Sequence, residues 1–382
     1  MHAPVLLALA IAASNAVPAP SAERVAEVRA ALDAGLSLHP AGAARATWAA
    51  GRLRGMPYGE SPLGEGEGKD PDPRFRLDRF DCTSLVETAL ALGAARSVAE
   101  AEPLLDGIRY AGAPGYENRN HYVEAQWLPD LAAKGWIADV TAAVGGGDAV
   151  VVTVRHRRAE WAEEARRGKL VAGLDPGRMP DGESRLSLVP LARVTELASR
   201  IPSGTILLVA RGERKGRPYR VVHMGIVVVD GRGERLVRHA SRDLDRVVDE
   251  RLERFVARYE KQRTWPVEGF SFWEILGGPG PDPLPRGTRE APGPRRARRR
   301  RRSPGGSSGW RRSSLAGNPP GRACPGGDEP SRAWNLPLDH ESRRGVLPRP
   351  GPVTSPRAAV RAGTRRDGRR GTPRSSPPSG PG

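Results

Sequence analysis

Apolar residues recur at helical spacing in several stretches of the first half of the chain. Counted from Cys82, they stand at offsets of 3, 4, 7 and 8: Leu85, Val86, Ala89 and Leu90. This stripe predicts a helix with one buried face, which also turns Cys82 inward. Asp81 is a good N-cap for that helix, and Gly93 is a suitable stop. The same spacing predicts two helices within residues 21–54 and another over residues 97–107.

Runs rich in β-branched residues dominate the second half. They occupy residues 149–154, 205–210, 219–229 and 235–240. The turn signal Asp-Gly-Arg-Gly at residues 230–233 predicts a hairpin between the last two runs. Residues 155–169 have the pattern of a charged helix, and the proline and glycine breaks in residues 170–203 predict irregular structure. Helices followed by strands predict an α+β fold.

The register of the hairpin decides where its two histidines lie. If Val229 pairs with Arg235, Gly225 lies opposite His239, and the imidazoles of His223 and His239 share one face of the sheet. A slip of one residue would place the two rings on opposite faces. Gly225 favours the first register, because a residue without a side chain leaves room beside a ring.

Cys82 stands where a helix start favours a thiolate. The free N–H groups of the first turn and the positive end of the helix dipole stabilise an anion, so we expect the Cys82 pKa to lie below about 8.5. The same N–H groups could hold an oxyanion. The alternative is a cysteine that only packs, because free cysteines are among the most buried residues. The second cysteine, Cys324, lies in a tail of different composition, which argues against a structural disulfide.

The first 19 residues have the pattern of a secretory signal peptide. An apolar run over residues 5–13 precedes Ser14-Asn15-Ala16, whose small outer residues suit signal peptidase. The run is too short for a membrane span, which needs about 20 residues. We therefore expect a secreted or periplasmic protein without a membrane span. A short hydrophobic first helix is the alternative.

The positive charge of the chain lies at its C-terminal end. Residues 281–382 hold 23 Arg, no Lys and 7 acidic residues, and so carry nearly all of the formal net charge of +17. Rich in Pro and Gly, residues 279–382 cannot bury enough apolar surface to fold, which predicts a disordered tail. The tail is either an anion-binding segment or the frameshifted or read-through translation of a GC-rich gene. The folded domain, residues 20–278, is nearly neutral, so we expect it to bind no nucleic acid.

A cluster of amides, charges and rings lies between the cysteine and the histidines. Its candidate substrate-binding residues are Arg119, Asn120, His121 and Trp127. Rings can cover the apolar faces of a sugar or peptide while amides contact its polar groups. The alternative is a polar loop with one buried tryptophan. A zinc site built from His121, His223 and His239 is conceivable, but no paired ligand motif supports it, so we expect no metal.

Three short segments resemble the NlpC-type papain-like cysteine amidases of bacterial cell walls. They are Asp81-Cys82-Thr83-Ser84, His223-Met224-Gly225-Ile226 and His239-Ala240-Ser241. The long segment between cysteine and histidine resembles the N-acetylmuramoyl-L-alanine amidase-like branch of that superfamily. The resemblance covers roughly residues 40–276 and implies a papain-like core, in which an N-terminal helix bundle carrying the cysteine packs on an antiparallel sheet. The insertion at residues 101–200 favours a restricted pocket.

The resemblance also implies roles for individual residues. Cys82 would be the nucleophile, His223 the general base, and His239 the residue that orients His223. Tyr58, 24 residues before the cysteine, would help to bind the oxyanion. Such a centre needs no cofactor. The implied substrate is peptidoglycan or its soluble muropeptides, cut between N-acetylmuramic acid and L-alanine by a monomeric enzyme.

Two other functions stay open at this point. The first is the γ-D-glutamyl–diamino acid endopeptidase activity of the same superfamily, because the shape of the pocket rather than the catalytic residues selects the bond. The second is a non-catalytic protein that binds cell wall or polyanions, with the arginine-rich tail as its adhesive part.

Overall fold

A computed structural model describes residues 19–166 and 173–278. All of these residues belong to one unit by their internal contacts. The predicted tail and all but one residue of the predicted signal peptide lie outside them. No helix in these two ranges is long and apolar enough to cross a membrane.

Four helices form the N-terminal part of the fold. They are α1 (Ala22–Gly35), α2 (Ala43–Arg52), α3 (Cys82–Ala94) and α4 (Val98–Arg109). The α3 helix begins at Cys82, as predicted, but it runs through Gly93 to Ala94. Every residue from Thr83 to Gly93 is buried, because α2, α4 and the sheet surround the helix. The sequence predicted one buried face, whereas all faces of the helix are buried from Thr83 to Gly93.

Five shorter helices follow in the described part of the chain. They are α5 (Leu128–Ala133), α6 (Thr141–Gly145), α7 (Arg158–Arg166), α8 (Leu191–Val194) and α9 (Leu252–Glu260). A π-helical turn, Val123–Trp127, leads into α5. The charged helix expected over residues 155–169 is α7, which begins later because a strand extends to His156.

Within the described ranges, the sheet has eight strands, all paired antiparallel. They are β1 (Ile137–Asp139), β2 (Val150–His156), β3 (Gly182–Pro190), β4 (Thr205–Arg211), β5 (Val221–Val229), β6 (Arg235–Ser241), β7 (Arg246–Arg251) and β8 (Val267–Ile275). Their order is β2-β3-β8-β4-β5-β6-β7, and β1 pairs with β8. The structure is therefore a mixed α+β fold with an antiparallel sheet, as expected.

Strand β3 corrects the expectation that residues 170–203 are irregular. Leu186 and Leu188 are buried and alternate with the less buried Arg185 and Ser187, which is the period of a strand. Pairing with β2 and β8 satisfies the backbone of β3 between the proline and glycine breaks.

Both faces of the sheet are covered, and β4 shows how. Ile206 and Leu208 belong to the core shared with α2, α3 and α4. Leu207 and Val209 point the other way, into a core shared with α9 and its Phe255. A strand enclosed on both faces favours apolar residues at successive positions, which explains the continuous apolar run at residues 206–210.

The hairpin of β5 and β6 has the predicted register. Val229 pairs with Arg235, and the ladder continues to Ile226 and Arg238. A side chain on Gly225 would lie 2.8 Å from the Arg238 carbonyl oxygen and 3.1 Å from Cβ of His239. The close approach of β6 therefore requires glycine at position 225.

Candidate active site

Cys82 is the first residue of α3, and the cap of that helix fixes its position. The Ser84 N–H donates to Oδ1 of Asp81 at 2.7 Å, and the Asp81 N–H donates to Oγ of Ser84 at 2.9 Å. This reciprocal capping box locks the backbone on both sides of Cys82. The Cys82 side chain is half-buried, and its Sγ lies 3.9 Å from Oγ1 of Thr83.

The Cys82 thiol does not have the lowered pKa that its helix position suggests. Burial, with the neighbouring Asp81 carboxylate, raises the pKa of Cys82 to about 12 against the opposing effect of the Met224 N–H. The expectation was wrong because it weighed the helix dipole and left out the buried, acidic N-cap. The resting site therefore holds a thiol, and a base must remove its proton before the sulfur can attack.

Two histidines on adjacent strands form the next part of the site. His223 Nε2 and His239 Nδ1 are 2.9 Å apart, so the two rings share a face as the register predicted. The His239 side chain is fully buried and the His223 side chain is half-buried. Phe255 of α9 packs against both rings, with centroid distances of 6.0 Å to His223 and 5.1 Å to His239.

Both histidines are neutral near pH 7. Burial lowers the pKa of His223 well below its usual 6.5, and the positive Arg258 together with the neighbouring His239 ring also disfavours a charge on it. Burial also lowers the pKa of His239, against the raising effect of the Glu250 carboxylate. A neutral imidazole can accept a proton, so His223 is in the form that a general base requires.

The cysteine and the histidines meet where β5 and β6 separate. The paired part of the two strands ends at Ile226 and Arg238. Beyond that point the N–H of Met224, the residue after His223, donates a hydrogen bond to the Cys82 sulfur. The start of α3 thus reaches the sheet beside the histidine pair.

Glu250 is a part of this arrangement that sequence reasoning missed. Its Oε2 atom lies 3.3 Å from His239 Nε2, and its carboxylate also forms an ion pair with Arg258 of α9. Glu250 lies on β7, opposite Val237 and two residues from the partner of His239. The contact between Glu250 and His239 follows from the β6–β7 register. The sequence analysis did not predict β7 as a strand, so this register could not be inferred.

Tyr58 lies beside the site despite its distance along the chain. It forms a bridge with Phe80, which precedes the N-cap of α3, and Arg242 stacks over its ring at 5.6 Å. Burial raises the Tyr58 pKa, and the charges of Asp81 and Cys82 add to the rise. The phenol is therefore protonated, and it is close enough to Cys82 for the two groups to interact.

Two of the predicted substrate-binding residues lie near the site with partners inside the protein. Arg119 Nη2 donates to Glu65 Oε2 at 2.6 Å and to Asp70 Oδ2 at 2.7 Å. Asn120 Nδ2 donates to Asp130 Oδ2 at 2.7 Å. Arg119 and Asn120 line a small pocket together with Asp81 and other residues of the α3 start: Thr83, Ser84 and Glu87.

The other two predicted residues are enclosed by the protein. His121 is buried, with Nε2 at 2.6 Å from the Tyr116 carbonyl oxygen, and burial together with Arg119 lowers its pKa to about 3. The Trp127 ring is fully buried, and its indole N–H donates to Oε1 of Glu87 at 3.0 Å. Neither ring has a free face for a sugar or peptide. Across residues 19–166 and 173–278, no cluster of His, Cys, Asp or Glu side chains is arranged to hold a metal ion.

The shifted pKa of Glu87 predicts how its contribution to stability depends on pH. Burial raises the pKa of Glu87 to about 7, against the opposing charge of Arg109 and with help from Asp81, while the ordinary value is 4.5. Its contribution to stability is therefore fully present below pH 4.5 and is lost as the pH rises through 7. We expect the stability of Glu87→Gln relative to wild type to rise by about 3 kcal/mol between pH 4 and pH 8.

Urea unfolding of both proteins at the two pH values measures this change. Glu23→Gln, which alters an exposed carboxylate on α1, is the control and should show no such trend. An equal stability difference for Glu87→Gln at both pH values would contradict the assignment.

Comparison with known proteins identifies the family of this chain. The profile of the family described as AmiA-like, N-acetylmuramoyl-L-alanine amidase-like, matches residues 49–262. No curated protein matches the chain. A Legionella pneumophila protein of family DUF1460 has a similar solved structure, with a TM-score of 0.58 and 21% identity over 68% of this chain and 96% of its own. This likeness shows a shared fold.

A second solved structure is an N-acetylmuramoyl-L-alanine amidase from Bacteroides uniformis. It aligns with a TM-score of 0.49 and 20% identity over 60% of this chain and 98% of that chain. The family profile, by contrast, matches more than half of the chain. The chain therefore belongs to the AmiA-like family of N-acetylmuramoyl-L-alanine amidase-like proteins.

Proposed function

We propose that this protein is a cysteine hydrolase that cleaves the amide between N-acetylmuramic acid and L-alanine in peptidoglycan or its soluble fragments. The observation that carries the proposal is the position of the Cys82 thiol, at the start of a buried helix and in contact with the N–H of Met224, the residue that follows His223. Family membership supports an amidase-like hydrolase. The cysteine mechanism rests on the site residues.

The first half of the reaction forms a thioester. His223 takes the proton of the Cys82 thiol while the sulfur attacks the carbonyl carbon of the lactyl amide, and the carbonyl electron pair moves onto oxygen. When this pair returns, the carbon–nitrogen bond breaks. His223 then gives its proton to the departing nitrogen of L-alanine, so the peptide leaves as a free amine. His239 holds the His223 ring during both transfers.

The second half releases the sugar. His223 removes a proton from water as the water oxygen attacks the thioester carbonyl, and the thiol is restored when the carbon–sulfur bond breaks. The negative oxygen that forms in both halves needs hydrogen-bond donors. The proposed donors are the Cys82 N–H at the start of α3, which the capping box does not use, and the protonated Tyr58 phenol.

We propose a papain-like core of the NlpC type for residues 20–278. A cysteine at the start of a helix that packs on an antiparallel sheet, with both histidines on that sheet, supports this assignment. We also propose that the protein is exported, because its substrate lies outside the cytoplasm and residues 5–13 are apolar. The small pocket beside Asp81, lined by Arg119 and Asn120, is the proposed contact for the stem peptide.

Mass spectrometry of reaction products tests the proposal. Defined disaccharide-tetrapeptides, with and without the anhydro ring, are incubated with the full chain and with a Cys82→Ala control. We expect free disaccharide and an intact stem peptide, formed only by the wild type. A disaccharide that still carries L-Ala-D-Glu would instead identify an endopeptidase. No cleavage of any fragment would reject the enzyme and leave a wall-binding protein.

A further inference from the structure

Three acid–base groups stand in a row behind the proposed nucleophile. His223 Nε2 lies 2.9 Å from His239 Nδ1, and the other nitrogen of His239, Nε2, lies 3.3 Å from Glu250 Oε2. The second contact is at ion-pair distance rather than in ideal hydrogen-bond geometry, and His239 Nε2 has no hydrogen bond to another described atom. Each group therefore faces the next through one defined pair of atoms.

The carboxylate at the end of the row decides where the protons lie. An ionised carboxylate only accepts hydrogen bonds, so Nε2 of a neutral His239 must carry its proton when it faces Glu250. The Nδ1 atom of His239 is then an acceptor. Because Nδ1 of His239 accepts, Nε2 of His223 must be the donor between the rings. A neutral His223 is left with Nδ1 as its only basic nitrogen.

Glu250 is held in the ionised state by its neighbours. Although burial opposes it, contact with His239 and with Arg258 lowers the Glu250 pKa. Other charged groups act on the row from the surrounding elements: Arg258 of α9 and Asp243 of the turn after β6. Arg258 also lies 3.7 Å from Asp243, so the guanidinium links the two carboxylates beside the histidines.

We propose that Glu250 is a positioning residue that acts through His239, fixing the tautomer of His223 so that Nδ1 is free to take the Cys82 proton. The proposal rests on the proposed function for its effect on catalysis. The tautomer itself is a property of the resting protein. Glu250 also stabilises the positive charge that forms on the histidine pair after proton transfer, because it is the carboxylate that faces His239.

Glu250→Gln is the test, and Asp249→Asn is its matched control. Asp249 is the adjacent residue on β7, and its carboxylate pairs with Arg238, 2.7 Å from Nε, instead of with a histidine. We expect Glu250→Gln to lower kcat/KM about 10- to 100-fold. We also expect the acidic limb of the pH profile to move to lower pH by roughly one unit, since loss of the carboxylate makes the imidazolium harder to form. Asp249→Asn should lower only the melting temperature.

Two further readouts need no substrate. Nitrogen-15 NMR of histidine-labelled full-length protein near pH 7 reports which ring nitrogen carries each proton. We expect His223 and His239 both protonated at Nε2 in the wild type, and a mixture of tautomers in Glu250→Gln. The rate of Cys82 alkylation by iodoacetamide should fall in Glu250→Gln in parallel with kcat/KM, because both need proton transfer to His223.

The outcomes separate this proposal from the proposed function. Protonation of His223 at Nδ1 in the wild type would overturn the positioning role, even in an active enzyme. A Glu250→Gln protein that loses only thermal stability, like Asp249→Asn, would overturn it as well. If no muropeptide is cleaved while the NMR and alkylation results hold, the proposed function fails and the assignment of the tautomer stands.

Discussion

Replacing Cys82 with alanine is expected to lower kcat/KM on a muropeptide by at least about 10⁴-fold, because the variant has no atom that can form the thioester. The substitution should leave the fold intact. The Cys82 side chain is half-buried, and the capping box beside it is made by Asp81 and Ser84. The initial rate of stem-peptide release, measured on the full chain, gives the ratio.

The second cysteine provides the matched control for this experiment. Cys324→Ala removes the other thiol of the chain and should retain wild-type kcat/KM. Cys82→Ser tests the nucleophile more finely, because a hydroxyl is a much weaker nucleophile than a thiolate and His223 must then activate it. We expect it to be nearly as inactive as Cys82→Ala. Activity that survives in Cys82→Ala would reject the cysteine mechanism.

Local rules account for the parts of the site that could be predicted from the sequence. Asp81 as N-cap and the apolar spacing counted from Cys82 placed the start of α3 at Cys82, and the structure adds Ser84, three residues after Asp81, as the second half of the capping box. The hairpin register follows from a short turn and from Gly225, and it brought His223 and His239 onto one face. Both inferences depend on neighbours within about 20 residues.

Long-range contacts account for what the sequence did not reveal. The ion pairs of Arg119 join it to residues 54 and 49 positions earlier, Glu65 and Asp70, and no local pattern showed them. Glu250 reaches His239 only because β7 pairs with β6 in a particular register. The Cys82 pKa depends on how completely the site is buried, which no local pattern reports. Such features exist only once the sheet is assembled.

The rings of the loop at residues 116–127 illustrate the same limit. A sequence that mixes aromatic rings, amides and charges fits a binding site and a buried polar cluster equally well. In the structure, Trp127 fills the core beneath α3 and binds Glu87, while His121 is held by the Tyr116 carbonyl group. Only the packing of α3, α4 and this loop distinguishes the two.

Replacing His223 with alanine is expected to lower kcat/KM about 10³-fold at pH 7, because the variant lacks the base that removes the thiol proton. The pH dependence should change as well. His223, with a pKa well below 6.5, stays neutral through mild acid, so wild-type activity should fall only as the pH drops below 6.5 through that lowered value. Stopped assays across the pH range measure both effects.

The residual activity of His223→Ala gives the sharper result. Without the imidazole, attack depends on spontaneous ionisation of Cys82, whose pKa burial and Asp81 raise to about 12. The residual rate should therefore increase about tenfold for each pH unit between neutrality and pH 10, as the thiolate fraction grows. His156→Gln is the matched control, because His156 is another buried strand histidine, on β2, whose Nε2 lies 2.7 Å from Oγ of Ser184. It should keep the wild-type profile. A His223→Ala protein with a flat profile would mean that another group removes the proton, which would reject His223 as the base and leave Cys82 as the nucleophile.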